Sequence, residues 1–154
     1  MFKNILIAFD GSAHSVQAAT FAAGVAGAVS GVRCTLIAVL TFSRDEALFL
    51  GASEPEYSQA EVSFKKKHFG KIEKFFDGLG LDLVTVVKEG NPAVEILKYA
   101  TENGIDHIVI GTRGLGNIQG ALLGSVSSRV VHSSPCPVTL VKDRSAQKGA
   151  VSKI

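Results

Sequence analysis

Ile105-Asp106-His107-Ile108-Val109-Ile110-Gly111-Thr112-Arg113-Gly114 is a largely apolar run that stops in glycine. Nine residues later the chain reads Gly124-Ser125-Val126-Ser127-Ser128. The first stretch has the length and composition of a strand buried on both faces, which is the mark of a parallel sheet covered by helices. The second reads as the start of a short helix, Ser125 to His132. Glycine lets backbone N–H groups approach an anion closely, and a helix start leaves donors without partners and a partial positive charge. A strand that ends in glycine, followed by a serine-rich helix start, is suited to phosphate.

Working outward, the same alternation recurs. Ile5 to Phe9 is an apolar run stopped by Asp10-Gly11, and Ser12 caps the helix that follows. That helix carries Val16, Ala19, Ala23 and Ala26 on one face, and Gly31 ends it. Cys34 to Leu40 is a second strand, and residues 41–56 are a mixed loop. A long helix is expected from about Glu56 to Asp77, with Phe69, Ile72 and Phe76 on one side and Gly78 and Gly80 at its end. Leu83 to Val87 is a third strand. Asn91-Pro92 opens a helix that presents Ala93, Ile96, Leu97 and Ala100. Ile105 to Ile110 and Pro137 to Val141 are the fourth and fifth strands. The expected fold is α/β, a single doubly wound five-stranded parallel sheet with helices on both faces. If the strand order is 3-2-1-4-5, the ends of strands one and four, at Asp10 and Gly111, flank the point where the strand order reverses.

Composition excludes several classes. The chain has 154 residues, 46% apolar and 19% charged, which suits one globular domain without disulfides or metal. A net charge of +2 gives no argument for nucleic acid or a membrane surface. The run Lys65-Lys66-Lys67 reads as a solvated helix face. Cys34 and Cys136 show neither metal nor redox spacing. No apolar segment nears the ~18–20 residues that span a bilayer, and no leader is evident. A cytoplasmic setting is the expectation. The four histidines, His14, His68, His107 and His132, lack metal-ligand spacing, and His107 reads as strand packing. Ser12 and His14 do not form a nucleophile–base pair.

The glycine loop fits neither common nucleotide motif. Gly114, Gly116 and Gly120 give G-x-G-x-x-x-G rather than the dinucleotide fingerprint, and no lysine precedes Ser125 as in a P-loop. What fits is G-x-x-G-x9-G-S, at Gly111, Gly114, Gly124 and Ser125. On that motif, on Ile5 to Ser12, on Glu89-Gly90-Asn91-Pro92-Ala93 with Ile96-Leu97, on Leu122 to Ser127 and on Cys136-Pro137-Val138, the chain resembles the universal stress protein family, specifically its ATP-binding branch. The resemblance spans nearly the whole chain. It implies the strand order 3-2-1-4-5 and an adenine-nucleotide-binding domain over 1–142; residues 143–154, polar and aperiodic, read as a flexible tail. It implies a ligand that is ATP or another adenine nucleotide, with Mg²⁺. Asp10, with Ala8 and Phe9 before it, would sit near the ribose and phosphates or the metal. Val39 would meet the adenine. Ile110, Gly111, Arg113 and Gly114 would wrap the phosphates, and Gly124, Ser125, Val126 and Ser127 would supply donors from the helix start.

Each assignment has a plainer counterpart. Asp10 also reads as an acceptor for the turn before the first helix, and Gly111 and Gly114 as tight-turn residues. Ser125, Ser127 and Ser128 also read as ordinary first-turn residues, and Val39 as a core valine. No residue beyond Asp10 and Arg113 stands out for hydrolysis, which also needs a group to orient water. The function read from the sequence is a stress-response regulatory protein that binds nucleotide with little or no hydrolysis. The alternatives are a slow ATPase or autophosphorylating protein, and a nucleotide-free dimeric scaffold. The resemblance also implies a homodimer through the edge strand 137–142.

Overall fold

The computed structural model describes residues 2–41, 44–114 and 122–143. The loop residues 115–121, with Gly116 and Gly120, and the expected tail beyond 143 lie outside them. Five strands, β1 (Asn4–Ala8), β2 (Arg33–Leu40), β3 (Leu83–Glu89), β4 (His107–Gly111) and β5 (Val138–Val141), form one parallel sheet. Their order is 3-2-1-4-5, as the family resemblance implies. The helices are α1 (Ala13–Ala28), α2 (Arg44–Phe49), α3 (Glu54–Phe64), α4 (Gly70–Gly78), α5 (Pro92–Glu102) and α6 (Ser125–Ser133). A π-helical turn, Lys65–Phe69, joins α3 to α4.

Side-chain alternation along the central strand sorts the core into two halves. Ile5, Ile7 and Phe9 face α1 and α4 with Leu36, Phe69, Ile72 and Phe76. Leu6 and Ala8 face α5 and α6 with Ile37, Ile96, Ile108, Ile110 and Val130. Leu6 and Ile7 are fully buried on opposite faces. Truncating such a residue to alanine costs roughly 2–5 kcal/mol, a large part of the ~5–15 kcal/mol that holds a domain. β1 is therefore where the fold tolerates least.

Three local readings differ from the sequence expectation. On α1 the buried stripe is Ser15, Ala18, Ala19, Ala22, Ala23 and Ala26, while Val16 lies exposed on its flank. Small size, not apolarity, selects the face, because the helix lies close on the sheet. The segment 41–56 is not all loop. It contains α2, and α3 begins at Glu54 because Ser53 and Glu56 form a capping box. The long helix is two helices joined by the π turn. Lys65, Lys66 and Lys67 are exposed there, as expected of a solvated face. Asn91 caps α5 through Val94 N–H at 3.2 Å, and Ser12 caps α1 through Ser15 N–H at 3.2 Å. Cys34 is buried as a small hydrophobe, and burial pushes its thiol pKa up to about 11. Among the described residues no helix is long and apolar enough to cross a membrane.

His107, at the start of β4, is packing with a polar residue of cost. Its Nε2 lies 2.8 Å from Thr139 Oγ1 on β5, and the Phe2 ring sits 4.0 Å away. Its buried Nδ1 has no hydrogen-bond partner among the described residues. Burial lowers the imidazole pKa below 6.5, outweighing the opposite pull of Asp106. The folded chain thus holds His107 neutral where the unfolded chain already takes a proton. Stability is full above the unfolded pKa of 6.5 and falls as pH drops through the lower folded value. Urea unfolding at pH 7.5 and 5.5 should show a drop in midpoint that is smaller in His107→Leu. An equal drop in both would show that His107 does not carry it.

Candidate functional site

A cleft of about 420 Å³ opens at the carboxyl ends of β1, β2 and β4, where a doubly wound sheet reverses its strand order. Its volume is in the range of small-molecule sites. Its walls divide by chemistry. Ala8, Ile37, Val39, Ile96 and Ile110 form an apolar side, all drawn from the core that α5 and α6 cover. Asp10, Arg113, Gly114, Gly124 and Ser125 form a polar side.

The polar side is assembled by glycine at contacts that have no space for a side chain. A Cβ on Gly111 would stand 2.7 Å from His14 Cβ and 2.9 Å from the His14 backbone carbon. The end of β4 therefore rests directly on the start of α1. A Cβ on Gly114 would stand 2.5 Å from Asp10 Oδ2, so the glycine loop runs beside that carboxylate. Gly124 differs. A Cβ there would meet Arg113 Cα at 3.5 Å and Gly114 N at 3.7 Å, ordinary contacts. Gly111 leaves no room for a side chain, whereas Gly124, which also lines the cleft, does.

Several donors expected to serve a ligand are engaged within the chain. The Ser127 hydroxyl is buried and donates to Gly111 C=O at 2.7 Å. Gly124 N–H donates to Thr112 C=O at 2.8 Å. These two bonds pin the start of α6 to the end of β4. The first-turn N–H groups of Ser125, Val126 and Ser127 have no partner within the helix. Gly124 is the N-cap of α6 and offers no side-chain cap, whereas α1, α3 and α5 are capped by Ser12, Ser53 and Asn91. The donors α6 offers the cleft are thus backbone amides, with the exposed Ser125 hydroxyl beside them.

Asp10 does two things. Its Oδ1 accepts Ser12 N–H at 2.9 Å, which holds the turn into α1, and its side chain lines the cleft. The capping and cleft-facing descriptions of this residue are both true of its geometry. His14 is occupied elsewhere: its Nδ1 accepts Asp143 N–H at 3.1 Å and lies 3.1 Å from Thr112 Oγ1. It forms no pair with Ser12.

All twelve residues singled out in the sequence line this one cleft: Ala8, Phe9, Asp10, Val39, Ile110, Gly111, Arg113, Gly114, Gly124, Ser125, Val126 and Ser127. Sequence reasoning missed Ser15, Ile37, Leu40, Thr41, Phe64, Pro92 and Ile96. Ile37, Leu40 and Thr41 follow from their place at the end of β2, and Pro92 and Ile96 from the first turns of α5. Phe64 carried no such signal, since it lies 23 residues beyond Thr41 in a separate helix.

The sequence and the fold have counterparts among known proteins. A universal stress protein from Thermus aquaticus is 37% identical over 147 residues, covering 92% of this chain and 100% of its own length. The solved structure of MJ0577, a universal stress protein of Methanocaldococcus jannaschii, superposes with a TM-score of 0.79 at 27% identity. That match covers 92% of this chain and 96% of the other. A family protein from Arabidopsis thaliana, solved with AMP bound, shares the fold with a TM-score of 0.68 at 19% identity, covering 96% of each chain. The sequence model of the universal stress protein family matches residues 1–142, and the chain belongs to that family.

Proposed function

We propose that this chain is a stress-response regulatory protein that binds ATP, or a related adenine nucleotide, in the cleft at the strand ends. The observation that carries the reading is the polar end of the cleft. There the N-terminus of α6, which has no side-chain cap, shares the cleft with Arg113, and Gly114 packs against Asp10. Backbone amides at a helix start favour phosphate by both hydrogen bonding and dipole. The apolar end, with Ile37, Val39 and Ile96, suits a nucleobase. The AMP-bound Arabidopsis protein is evidence that this fold accommodates an adenine nucleotide. The assignment to this chain rests on its own residues.

The residues also fit an accompanying Mg²⁺. Mg²⁺ is commonly held by one or two carboxylates together with substrate phosphates, and Asp10 places one carboxylate beside the glycine loop. Among the described residues no cluster of three ligating side chains forms a cage of its own. Asp10 would be the protein's ligand, and the ion would offset charge on the phosphates. Hydrolysis is slow at most in this reading. Asp10 is the one carboxylate among the described lining residues, and it is already bonded to the Ser12 amide. A fast phosphoryl transfer needs a further group to orient water.

The first experiment is to purify the chain without added nucleotide, denature it, and identify released small molecules by mass spectrometry. An adenine nucleotide should be released from the wild type and be absent from a Gly124→Val, Ser125→Val variant. Gly124 makes only ordinary contacts, so that variant should keep its circular dichroism while filling the phosphate end. No nucleotide from either, and no ATP binding on titration, would favour the nucleotide-free scaffold. Turnover of ATP should not exceed that of Asp10→Ala. Clear turnover abolished by Asp10→Ala, with binding retained, would instead establish a slow ATPase.

A homodimer through 137–142 belongs to the same proposal. β5 is an edge strand of half-buried, β-branched and apolar residues, which invites pairing with a second copy. Val138→Lys or Leu140→Lys should give monomers in sedimentation. Dimers that persist would point to another surface.

A further inference from the structure

α3 buries none of its residues, yet its last one, Phe64, lines the cleft. The π turn that follows is the reason. Along a regular α-helix, residues five apart point about 140° away from each other. The i→i+5 bonding of a π turn brings such a pair to one side, and such turns are frequent at functional sites. The rings of Phe64 and Phe69 accordingly meet edge to face, 6.1 Å between centroids. Phe69 is buried against the core and lies 6.0 Å from Phe9. The His68 ring lies 4.6 Å from Phe64 and packs on Gly11, where a Cβ would stand 2.9 Å from His68 Nδ1.

The four rings make a closed path. It leaves the chain at Phe9, passes through Phe69, Phe64 and His68, and returns at Gly11. These are the residues on either side of Asp10. The π turn is thereby clamped onto the one turn that presents Asp10, and Phe64 shares the cleft with that carboxylate. A phenyl ring offers nothing to a phosphate, but beside a carboxylate it matches a group with hydroxyls on one side and an apolar face on the other. A nucleoside has that chemistry.

We propose that Phe64, turned inward by the π turn, contacts the nucleoside half of the ligand and sets selectivity for nucleotide over bare polyphosphate. The inference rests on the nucleotide reading above. Kd for ATP is measured by calorimetry on the wild type, Phe64→Ala and Phe64→Leu, with inorganic triphosphate as competitor and circular dichroism as the control for folding. ATP binding should weaken about tenfold in Phe64→Ala, the size of one aromatic contact, and less in Phe64→Leu. Competition by inorganic triphosphate should not weaken. Unchanged ATP affinity in Phe64→Ala overturns this assignment and leaves the nucleotide reading standing. A parallel loss of triphosphate binding overturns it too, because the damage is then to the cleft as a whole. A wild type that binds no adenine nucleotide overturns both. If Phe64→Ala does not fold, weaker ATP binding in Phe64→Leu with triphosphate competition intact supports the assignment, and unchanged binding overturns it.

Discussion

The close approach of β4 to α1 governs the rest of this structure. Gly111 ends the strand where the His14 backbone leaves room for a hydrogen and no more. Any side chain there would push the first turn of α1 off the sheet, and with it Ser12, Ser15 and the turn that carries Asp10. The contact is tight enough to fix two strand ends relative to each other. Thr112, next in the chain, is buried and bonds outward in two directions, through its N–H to Val141 and through its C=O to Gly124. The polar end of the cleft thus rests on backbone contacts at Gly111, Thr112 and Gly124. Backbone contacts of this kind let a site present amides without first having to order long side chains.

The same economy explains which polar groups face the cleft. Ser127 and Gly124 look like donors in the sequence, since they sit at a helix start in a glycine–serine motif. In the structure both are fasteners that tie α6 to β4. Their bonds hold the remaining first-turn amides in place. Hydrogen-bond inventory at a motif therefore divides into groups that build the site and groups that the site offers, and residue type alone does not separate them.

The fold is legible because Ile5 to Phe9 and Ile108 to Ile110 are apolar runs and because Ser12 and Asn91 mark helix starts. The cleft was legible in part for the same reason: strand ends and a glycine motif lie close to each other in the topology. What was hidden has physical causes. Val16 lies off the buried stripe because close packing there selects alanine over larger apolar residues. The start of α3 is written in Ser53-x-x-Glu56, a capping box inside a stretch whose composition otherwise reads as loop. Phe64 could not be placed, because periodicity assumes 3.6 residues per turn and the π turn breaks that count just after it. The loop between Gly114 and Leu122 was singled out in the sequence and lies outside the described residues.

α3 stands apart from the rest of the domain in how it is held. It contributes no buried side chain, and its ties to the rest of the domain include the Tyr57 hydroxyl on Glu89 and the half-buried Phe64 ring. Its anchor is therefore its last residue, where Phe64 joins Phe69 and His68. The segments that bury the core, β1 and the helices α1 and α4 on one face and α5 and α6 on the other, are other parts of the chain. Surface substitutions along α3 ahead of Phe64 therefore touch the core least, and the helix can vary in sequence while the ring at its end stays in place.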